Sequence, residues 1–431
     1  MKDLVSLCTR KGFIFQSSGI YGGINGCWDF GPLGVELKRN LKDDWWYTFV
    51  QMRDDIVGLD ASIITHPEVW VASGHVAEFH DIVVDCKECK HRFRADHLEG
   101  PKCPDCGGEL TEPKQFNSML RTRLGVSEDT AVETYLRPET CQSIFVDFKE
   151  VYSSSRMQVP FGIAQIGKSF RNEVNPRNFI FRSREFEQME IEFFCKAEDE
   201  TKWFEAWKIA IWQWYLDIGL TESKMRWLAH PKEALAHYSS RTEDVEYEFP
   251  FGWGELQGLA NRGCFDLTQH SKHSGKDLSY FDATTNERYM PSVIEPSAGA
   301  DRTTLAVLCD AYDEEEVDGE KRIVLRLDPK LSPIKAAILP LVKKDGLAEL
   351  AQGLELKLRR KFNTFYDQSG AIGRRYRRMD EIGTPFCICV DYESKENGTV
   401  TVRDRDSMEQ VRMPMDELAA YIGKRCSHER D

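Results

Sequence analysis

The stretch Arg182-Ser183-Arg184-Glu185-Phe186-Glu187-Gln188-Met189-Glu190-Ile191-Glu192-Phe193-Phe194 separates into two chemistries at every second residue. In an extended chain, alternate side chains point to opposite faces. Met189, Ile191 and Phe193 then share an apolar face that belongs in a core. Arg182, Arg184, Phe186, Gln188, Glu190 and Glu192 share the other. Charges on one sheet face are costly if buried and unpaired. That face is therefore either solvated and laced with cross-strand ion pairs or a platform for a charged ligand. The preceding strand, predicted over Phe161–Glu173, places Gln165, Ser169, Arg171 and Glu173 on one face and adds weight to the platform. The two strands are joined by the polar connection Val174–Phe181. Short strands with polar turns predict an antiparallel sheet, hence an α+β domain.

Working outward, a glycine-rich stretch (Gly19 to Gly34) leads into Pro32 and a stripe of Leu33, Leu37, Leu41, Trp45 and Phe49. That four-residue spacing predicts a helix, and Pro32 suits its start. A β-leaning segment, Asp55 to Thr65, breaks at Pro67. Beyond an acidic loop, Asp310–Glu320, the pattern changes. Lys335–Val342, Pro385–Asp391 and Thr399–Arg403 read as strands, and Gly346–Phe362 and Met415–Ile422 as helices. Leu347, Leu350, Leu354 and Leu358 line one side of the first of these helices. This alternation predicts a small α/β domain. The division reads as 1–326, with an insert at 86–108, followed by 327–431.

The insert carries Cys86-Lys87-Glu88-Cys89 and Cys103-Pro104-Asp105-Cys106. Each C-x-x-C pair can offer two thiolates to a tetrahedral ion. The reading is structural Zn2+ held by Cys86, Cys89, Cys103 and Cys106, with a redox pair or idle thiols as alternatives. His91 and His97 read as non-ligands, since four sulfurs complete the shell. Cys141, Cys195, Cys264, Cys309, Cys387 and Cys389 read as buried small hydrophobes.

Thirteen cysteines, an odd number, in a 431-residue chain argue for reduced thiols and not a disulfide framework. No apolar run approaches the ~18 residues of a membrane span. The opening MKDLVSLCTRKGF lacks an apolar signal core. A cytoplasmic protein is expected. The net charge of −14 works against phosphate binding. However, Lys357, Arg359, Arg360, Lys361, Arg374, Arg375, Arg377 and Arg378 cluster in the C-terminal part. They form either a solvated helix face or an RNA-binding patch.

Several strings, taken in order, resemble the class II aminoacyl-tRNA synthetases, and among them the glycyl-tRNA synthetases. Phe170-Arg171-Asn172-Glu173, followed by Arg182-Ser183-Arg184-Glu185-Phe186, is similar to motif 2 of that class. Glu295-Pro296-Ser297-Ala298-Gly299-Ala300-Asp301-Arg302 is similar to motif 3 in its glycyl form. The helix and segment up to Pro67 resemble motif 1, which builds the family's dimer interface. Glu68–His75, Arg137-Pro138-Glu139-Thr140 and Arg94-Ala95-Asp96-His97 look glycyl-type. Gly373–Arg378 and Asp380–Pro385 resemble the anticodon-binding domain of class IIa enzymes.

The resemblance implies an ATP-dependent glycine–tRNA ligase acting as a homodimer, with glycine, ATP and glycine-specific tRNA as partners and Mg2+ beside structural zinc. It implies catalytic roles for Arg171, Glu173 and Arg302. ATP would be held by these with Asn172, Phe181, Arg182, Phe186, Glu255, Leu256, Gly299 and Asp301. Glycine would meet Arg94, Glu139, Phe186, Gln188, Glu190, Glu255, Glu295, Ser297 and Gly299. Physical chemistry agrees with such roles. Joining a carboxylate to the α-phosphorus of ATP brings two anions together, so positioning and charge neutralisation dominate. Arginine's fork grips phosphate without losing its charge. Glycine offers only an ammonium, a carboxylate and no Cβ, so acids around the ammonium and a lack of room are the available discriminators. The readings that compete are a sister class II enzyme for another amino acid and a non-catalytic binding module on the same scaffold. The retained Arg171, Glu173, Phe186 and Arg302 argue against the second.

Overall fold

In the computed structural model, residues 1–428 are described, except Asp96, His97, Glu99, Glu128, His237 and Asp318. The expectation about His97 lies outside the described residues.

Helix α1 (Pro32–Trp46) opens on Pro32, whose missing N–H would have been unpaired there in any case. Leu37, Leu41 and Trp45 are buried, as is Phe49 in the π-helical turn Tyr47–Gln51 that follows; Leu33 is half-buried. The helix start is pressed so closely on the preceding chain that a Cβ on Gly34 would lie 1.8 Å from the Phe13 carbonyl oxygen.

The central sheet has seven strands: β1 (Ile56–Gly58), β2 (Phe161–Phe170), β3 (Glu185–Cys195), β4 (Met225–Ala229), β5 (Arg241–Phe249), β6 (Gly252–Gly263) and β7 (Ser292–Gly299). Their order is β4-β5-β6-β7-β3-β2-β1, antiparallel throughout except where β1 joins β2. Helices α2 (Cys141–Ser155), α3 (Glu200–Asp217), α4 (Phe265–Ser274) and α5 (Ala300–Ala311) belong to this part, as does the N-terminal helix Lys2–Lys11. Met189, Ile191 and Phe193 lie in the main core, as their spacing predicts.

The structure shortens or replaces several expected elements. β2 ends at Phe170 and β3 begins at Glu185, because Asn178 and Phe179 adopt left-handed φ of 58° and 60° and turn the chain. Only Ile56–Gly58 of the segment 55–65 pairs as a strand. Pro67 starts a helix, Pro67–Ala72, whose first turn donates to His66. The acidic loop is the end of α5 followed by a hairpin, Tyr312–Val317 against Glu320–Leu325. Its acids pair with cations, Glu314 with Lys321 at 2.6 Å and Asp313 with Arg326 at 3.0 Å. Cys264 is exposed at the turn into α4 and Cys309 is half-buried, whereas Cys141, Cys195, Cys387 and Cys389 are buried. No cysteine is in a disulfide, and among the described residues no helix is long and apolar enough to cross a membrane.

The C-terminal part is a five-stranded sheet of β8 (Ala336–Pro340), β9 (Thr364–Tyr366), β10 (Phe386–Val390), β11 (Thr399–Asp404) and β12 (Gln410–Pro414). The order is β9-β8-β10-β11-β12, parallel among the first three and antiparallel beyond. Helices α6 (Leu347–Arg359), α7 (Ile372–Asp380) and α8 (Leu418–Cys426) cover it. The predicted alternation is present; α7, β9, β12 and the short helix Tyr392–Asn397 are additional.

The basic run divides. Lys357, Arg360, Lys361 and Arg374 are exposed. Arg375 is buried and donates to the carbonyls of Pro340 and Leu341 at 2.6 and 3.3 Å. Arg378 pairs with Asp367 at 2.5 Å. Arg359 is exposed as well, so five of the eight cations face solvent, while Arg375 and Arg378 are architectural.

The 312–325 hairpin meets the C-terminal sheet over a buried ion cluster. Asp380 of α7 accepts from Arg322 Nε at 2.9 Å and Arg403 Nη1 at 2.9 Å. Arg405 reaches the carbonyls of Gly383 and Leu327 at 2.9 and 2.8 Å. Asp380 and Arg322 are both fully buried. Removing one partner of such a pair leaves an uncompensated charge, at a cost of about 3–5 kcal/mol. Asp380→Ala should therefore lower the urea midpoint by that equivalent. A loss under about 1 kcal/mol, the range of an exposed pair, would show that the cluster does not hold the two parts together.

Candidate active site

The charged face of β3 is a floor, not a solvated edge. Gln188, Glu190 and Glu192 are 8%, 1% and 0% exposed. Above it lies a cavity of about 340 Å³, whose walls include Arg171, Phe186, Glu190, Glu295 and Arg302. Along β7, Glu295, Ser297 and Gly299 share one face and lead from an acidic pole toward Arg302 in the first turn of α5. Register pairs Glu190 with Ser297 and Gln188 with Gly299, so both strands supply the same surface.

The acidic pole is held by a dense network. Arg137 donates to the carbonyls of Lys168 at 2.7 Å and Ala61 at 3.0 Å, and Phe170 N donates to Arg137 O at 2.9 Å. This fastens the Arg137–Thr140 turn to β2. Gly167 makes room for it, since a Cβ there would lie 2.2 Å from the Arg137 guanidinium. The turn delivers Glu139, which faces His75 Nε2 at 3.2 Å and accepts from Gln142 at 3.0 Å. Burial opposes ionising Glu139, but His75 overcomes it, and the carboxyl is held well below the usual range. Glu190 accepts from Ser297 Oγ at 2.7 Å and from Thr140 Oγ1. Burial, then the charge of Glu139, raises its pKa. Arg262 holds Asp266 bidentately at 2.7 and 2.8 Å and Glu295 at 2.7 Å. Even so, burial pushes Glu295 up to about 8.

At the other pole the cations gather. Arg171 Nε donates to Pro138 O at 3.0 Å, and its guanidinium lies 5.3 Å from the Phe186 ring centre. Arg302 donates to Phe181 O at 3.1 Å and meets the Glu255 carboxylate at 3.0 Å. That contact holds Glu255 below the usual carboxylate range. Arg182 lies 3.6 Å from Glu173. Such an arrangement offers cations and an aromatic face for a nucleotide beside acids for an ammonium.

Most residues singled out in the sequence converge here: Glu139, Arg171, Glu173, Phe181, Arg182, Phe186, Gln188, Glu190, Glu255, Leu256, Glu295, Ser297, Gly299, Asp301 and Arg302 line the cavity. Asp301 does so with both oxygens engaged, by Lys38 Nζ at 2.6 Å and Glu187 N at 2.8 Å, so it positions β3 and α1. Asn172 and Arg94 stand outside the wall. Asn172 N donates to Ser118 O at 2.8 Å. Arg94 pairs with Asp81 at 2.9 Å and lies near enough to Arg182 to disfavour its charge, after burial has done most of this.

Sequence reading missed Arg262, Asp266, Gln142, His230 and Asp244, and gave His75 no role beyond closing the string Glu68–His75. His230 and Asp244 pair at 2.6 Å in the cavity wall. The one legible signal was Arg262, a lone cation at the end of the otherwise uncharged run Leu256–Asn261.

In the insert, the Sγ atoms of Cys86, Cys89, Cys103 and Cys106 all lie within 4.8 Å of one another. The Cys86–Cys106 and Cys89–Cys103 separations are 3.5 and 3.7 Å. A tetrahedral ion with Zn–S of about 2.3 Å sets edges of roughly 3.8 Å. The two knuckles share one backbone pattern. Cys86 N donates to His91 O, and Lys90 N to Cys86 O. Equivalently, Cys103 N donates to Gly108 O, and Gly107 N to Cys103 O. Left-handed residues, Lys90 and Gly107, stand at the same point of each. His91 pairs with Asp105 at 2.6 Å across the knuckles. The donor set and spacing fit zinc.

The anticodon binding domain family matches residues 335–425. A glycine–tRNA ligase of Treponema denticola is 55% identical, covering 98% of this chain and 96% of that protein. Those of Streptomyces coelicolor and Caldanaerobacter subterraneus are 54% and 52% identical, each covering 98% of this chain and 97% of the relative. A solved structure described as the RNA binding domain of a threonyl-tRNA synthetase from Cryptosporidium parvum superposes with a TM-score of 0.70 at 19% identity, over 97% of both chains. That likeness speaks for the fold alone. Identity above half over nearly the whole length, with the motif residues gathered round one cavity, shows that the chain belongs to the glycine–tRNA ligase family.

Proposed function

We propose that this cavity activates glycine with ATP and passes the glycyl group to the 3' end of a glycine-specific tRNA. The observation that carries the reading is the pairing of poles. Glu139, Glu190 and Glu295 converge at one, and Arg171 and Arg302 stand at the other. The ammonium is read by the acids with Ser297 and Gln188. The carboxylate is thereby turned toward Arg171, which also draws in the α-phosphate. Arg302 grips the outer phosphates and covers the base, Phe186 stacks on it, and Glu173 accepts from its amino group. Arg182, Phe181, Leu256 and Gly299 complete the nucleotide wall; Asn172 and Arg94 act from just outside it. Carboxylate oxygen then attacks the α-phosphorus and pyrophosphate leaves, with no protein nucleophile required. Mg2+ bound with the nucleotide would supply charge to neutralise the phosphates, and Glu255, now paired with Arg302, is the carboxylate that would hold it. The amino-acid end offers carboxyls, hydroxyls and amides where an aliphatic side chain would need apolar contact, which favours glycine over larger substrates.

The remaining parts follow the same reading. Residues 1–326 form the catalytic unit and 327–431 the anticodon-binding unit, whose exposed Lys357, Arg360, Lys361 and Arg374 meet RNA. Zinc held by Cys86, Cys89, Cys103 and Cys106 has no open position and is structural. It steadies the 86–108 insert that carries Arg94. The exposed Ile20, Tyr21 and Ile24, at 90%, 87% and 52%, beside α1 are the apolar surface on which a homodimer would close. Thirteen unpaired thiols suit a reducing cytoplasm.

ATP–pyrophosphate exchange with each of the twenty amino acids tests the central reading: glycine alone should support exchange. Exchange with another amino acid would overturn the acidic-pole assignment, and none with any would point to a binding module. Glu190→Ala should lower glycine-dependent exchange by roughly 100-fold or more, the scale for losing one charged contact in a site, with ATP affinity little changed. Normal glycine affinity in that variant would remove Glu190 from the pocket. Metal analysis of unstripped protein should return about one zinc per chain, falling with Cys86→Ser/Cys89→Ser; less than about 0.3 in the parent counts against the site.

A further inference from the structure

Glu192 has no role in the scheme above, yet its placement is costly. It is fully buried, and neither carboxyl oxygen finds a hydrogen-bond partner among the described residues. It does not line the cavity; it lies one pleat beneath Glu190 on the same face of β3. The β3–β7 register that pairs Glu190 with Ser297 and Phe193 with Ile294 brings Glu192 opposite Glu295. Ligating atoms of Cys141, Glu190, Glu192 and Glu295 all fall within 4.8 Å of one another. Like charges directly opposed across a sheet repel, and two buried carboxylates this close cannot both ionise without a cation between them.

The groups facing Glu192 account for the balance. β7 brings Glu295 and β3 brings Glu190. From β6, α4 and α2 come Arg262, Asp266 and Cys141. β2 opposes it with the apolar Ile163. Arg262 is the only cation among these, and it is already committed to Asp266 and Glu295.

We propose that the Glu192–Glu295 pair retains one proton while the cavity is free of amino acid and releases it to solvent when the substrate ammonium arrives at Glu295. Glu192 is then a positioning residue. Its charge state decides whether Glu295 meets the ammonium as a carboxylate, and amino-acid binding becomes proton-linked. This rests on the reading of the acidic pole as the seat of the glycine ammonium. Burial raises Glu192 well above the ordinary carboxylate range and Glu295 to about 8, the direction the geometry requires. A raised pKa in the unbound state means that the proton is held below about pH 8 and must leave on binding. Glycine affinity should therefore weaken as pH falls, approaching tenfold per unit.

Calorimetric titration with glycine at pH 7, in buffers of low and high ionisation enthalpy, counts the protons. The parent should release close to one proton per glycine, and its Kd should climb as pH falls from 8 to 6. Glu192→Gln leaves Glu295 facing a neutral amide, so the released proton and the pH slope should both be largely lost while glycine still binds. Glycine binding without proton release in the parent, or release unchanged in Glu192→Gln, overturns the proposal. Absence of glycine binding in folded parent protein would instead sink the underlying assignment of the pole, and this inference with it. Should Glu192→Gln fail to fold, Glu192→Met, which keeps the buried volume without the charge, takes its place under the same two readouts.

Discussion

A buried guanidinium is the constraint around which the site is arranged. Arg262 ends β6 with both faces of its fork engaged, Asp266 on one side and Glu295 on the other, at 2.7–2.8 Å. Its plane lies 3.8 Å from the Tyr238 ring centre. Without it, the carboxyls of the β3–β7 floor would share a dry sheet with no fixed counter-charge, and burial would keep them protonated. One cation among several acids satisfies Asp266 and orients Glu295 without neutralising the pole. What remains is a region with acids in excess of cations, the condition for recognising a small ammonium.

Precision at this pole comes from backbone geometry. The Arg137–Thr140 turn is stapled to β2 through carbonyl contacts, and a glycine at 167 lets the guanidinium lie flat on the strand. Glu139 and Thr140 therefore reach the floor from a different part of the chain than Glu190 and Glu295. Arg171 is tied to the same turn through Pro138 O. The cation that would meet a substrate carboxylate and the acid that would meet its ammonium thus share one rigid support, which limits the positional error that catalysis by proximity cannot tolerate.

The C-terminal sheet is joined to this body by a second buried charge cluster, Asp380 with Arg322 and Arg403. Part of the basic run that looked like RNA-binding surface is used at the edge of that cluster, where Arg377 lies 3.8 Å from Asp380, and in capping β8 through Arg375. A run of cations in sequence does not distinguish a guanidinium that faces solvent from one that spans two carbonyls, because that depends on which helix face packs inward. Arg374 and Arg375 are neighbours, yet one is exposed and the other buried.

Local pattern alone determined a good deal. The period-two alternation of Arg182–Phe194, the four-residue stripe from Leu33 to Phe49 and the paired C-x-x-C knuckles are each written in consecutive residues, because strand, helix and knuckle geometry are set over a few positions. They were sufficient for the antiparallel platform, its charged face, the helix before it and the cysteine cluster. Tertiary structure decided what those faces meet. That Glu192 opposes Glu295, that Arg262 and Asp266 close the floor, that His75 faces Glu139 and that Asp301 serves α1 and β3 all depend on strand order and on contacts between residues up to hundreds of positions apart. A side chain's protonation and its partner are properties of the assembled interior, where desolvation and neighbouring charge act together, and no stretch of sequence contains that interior.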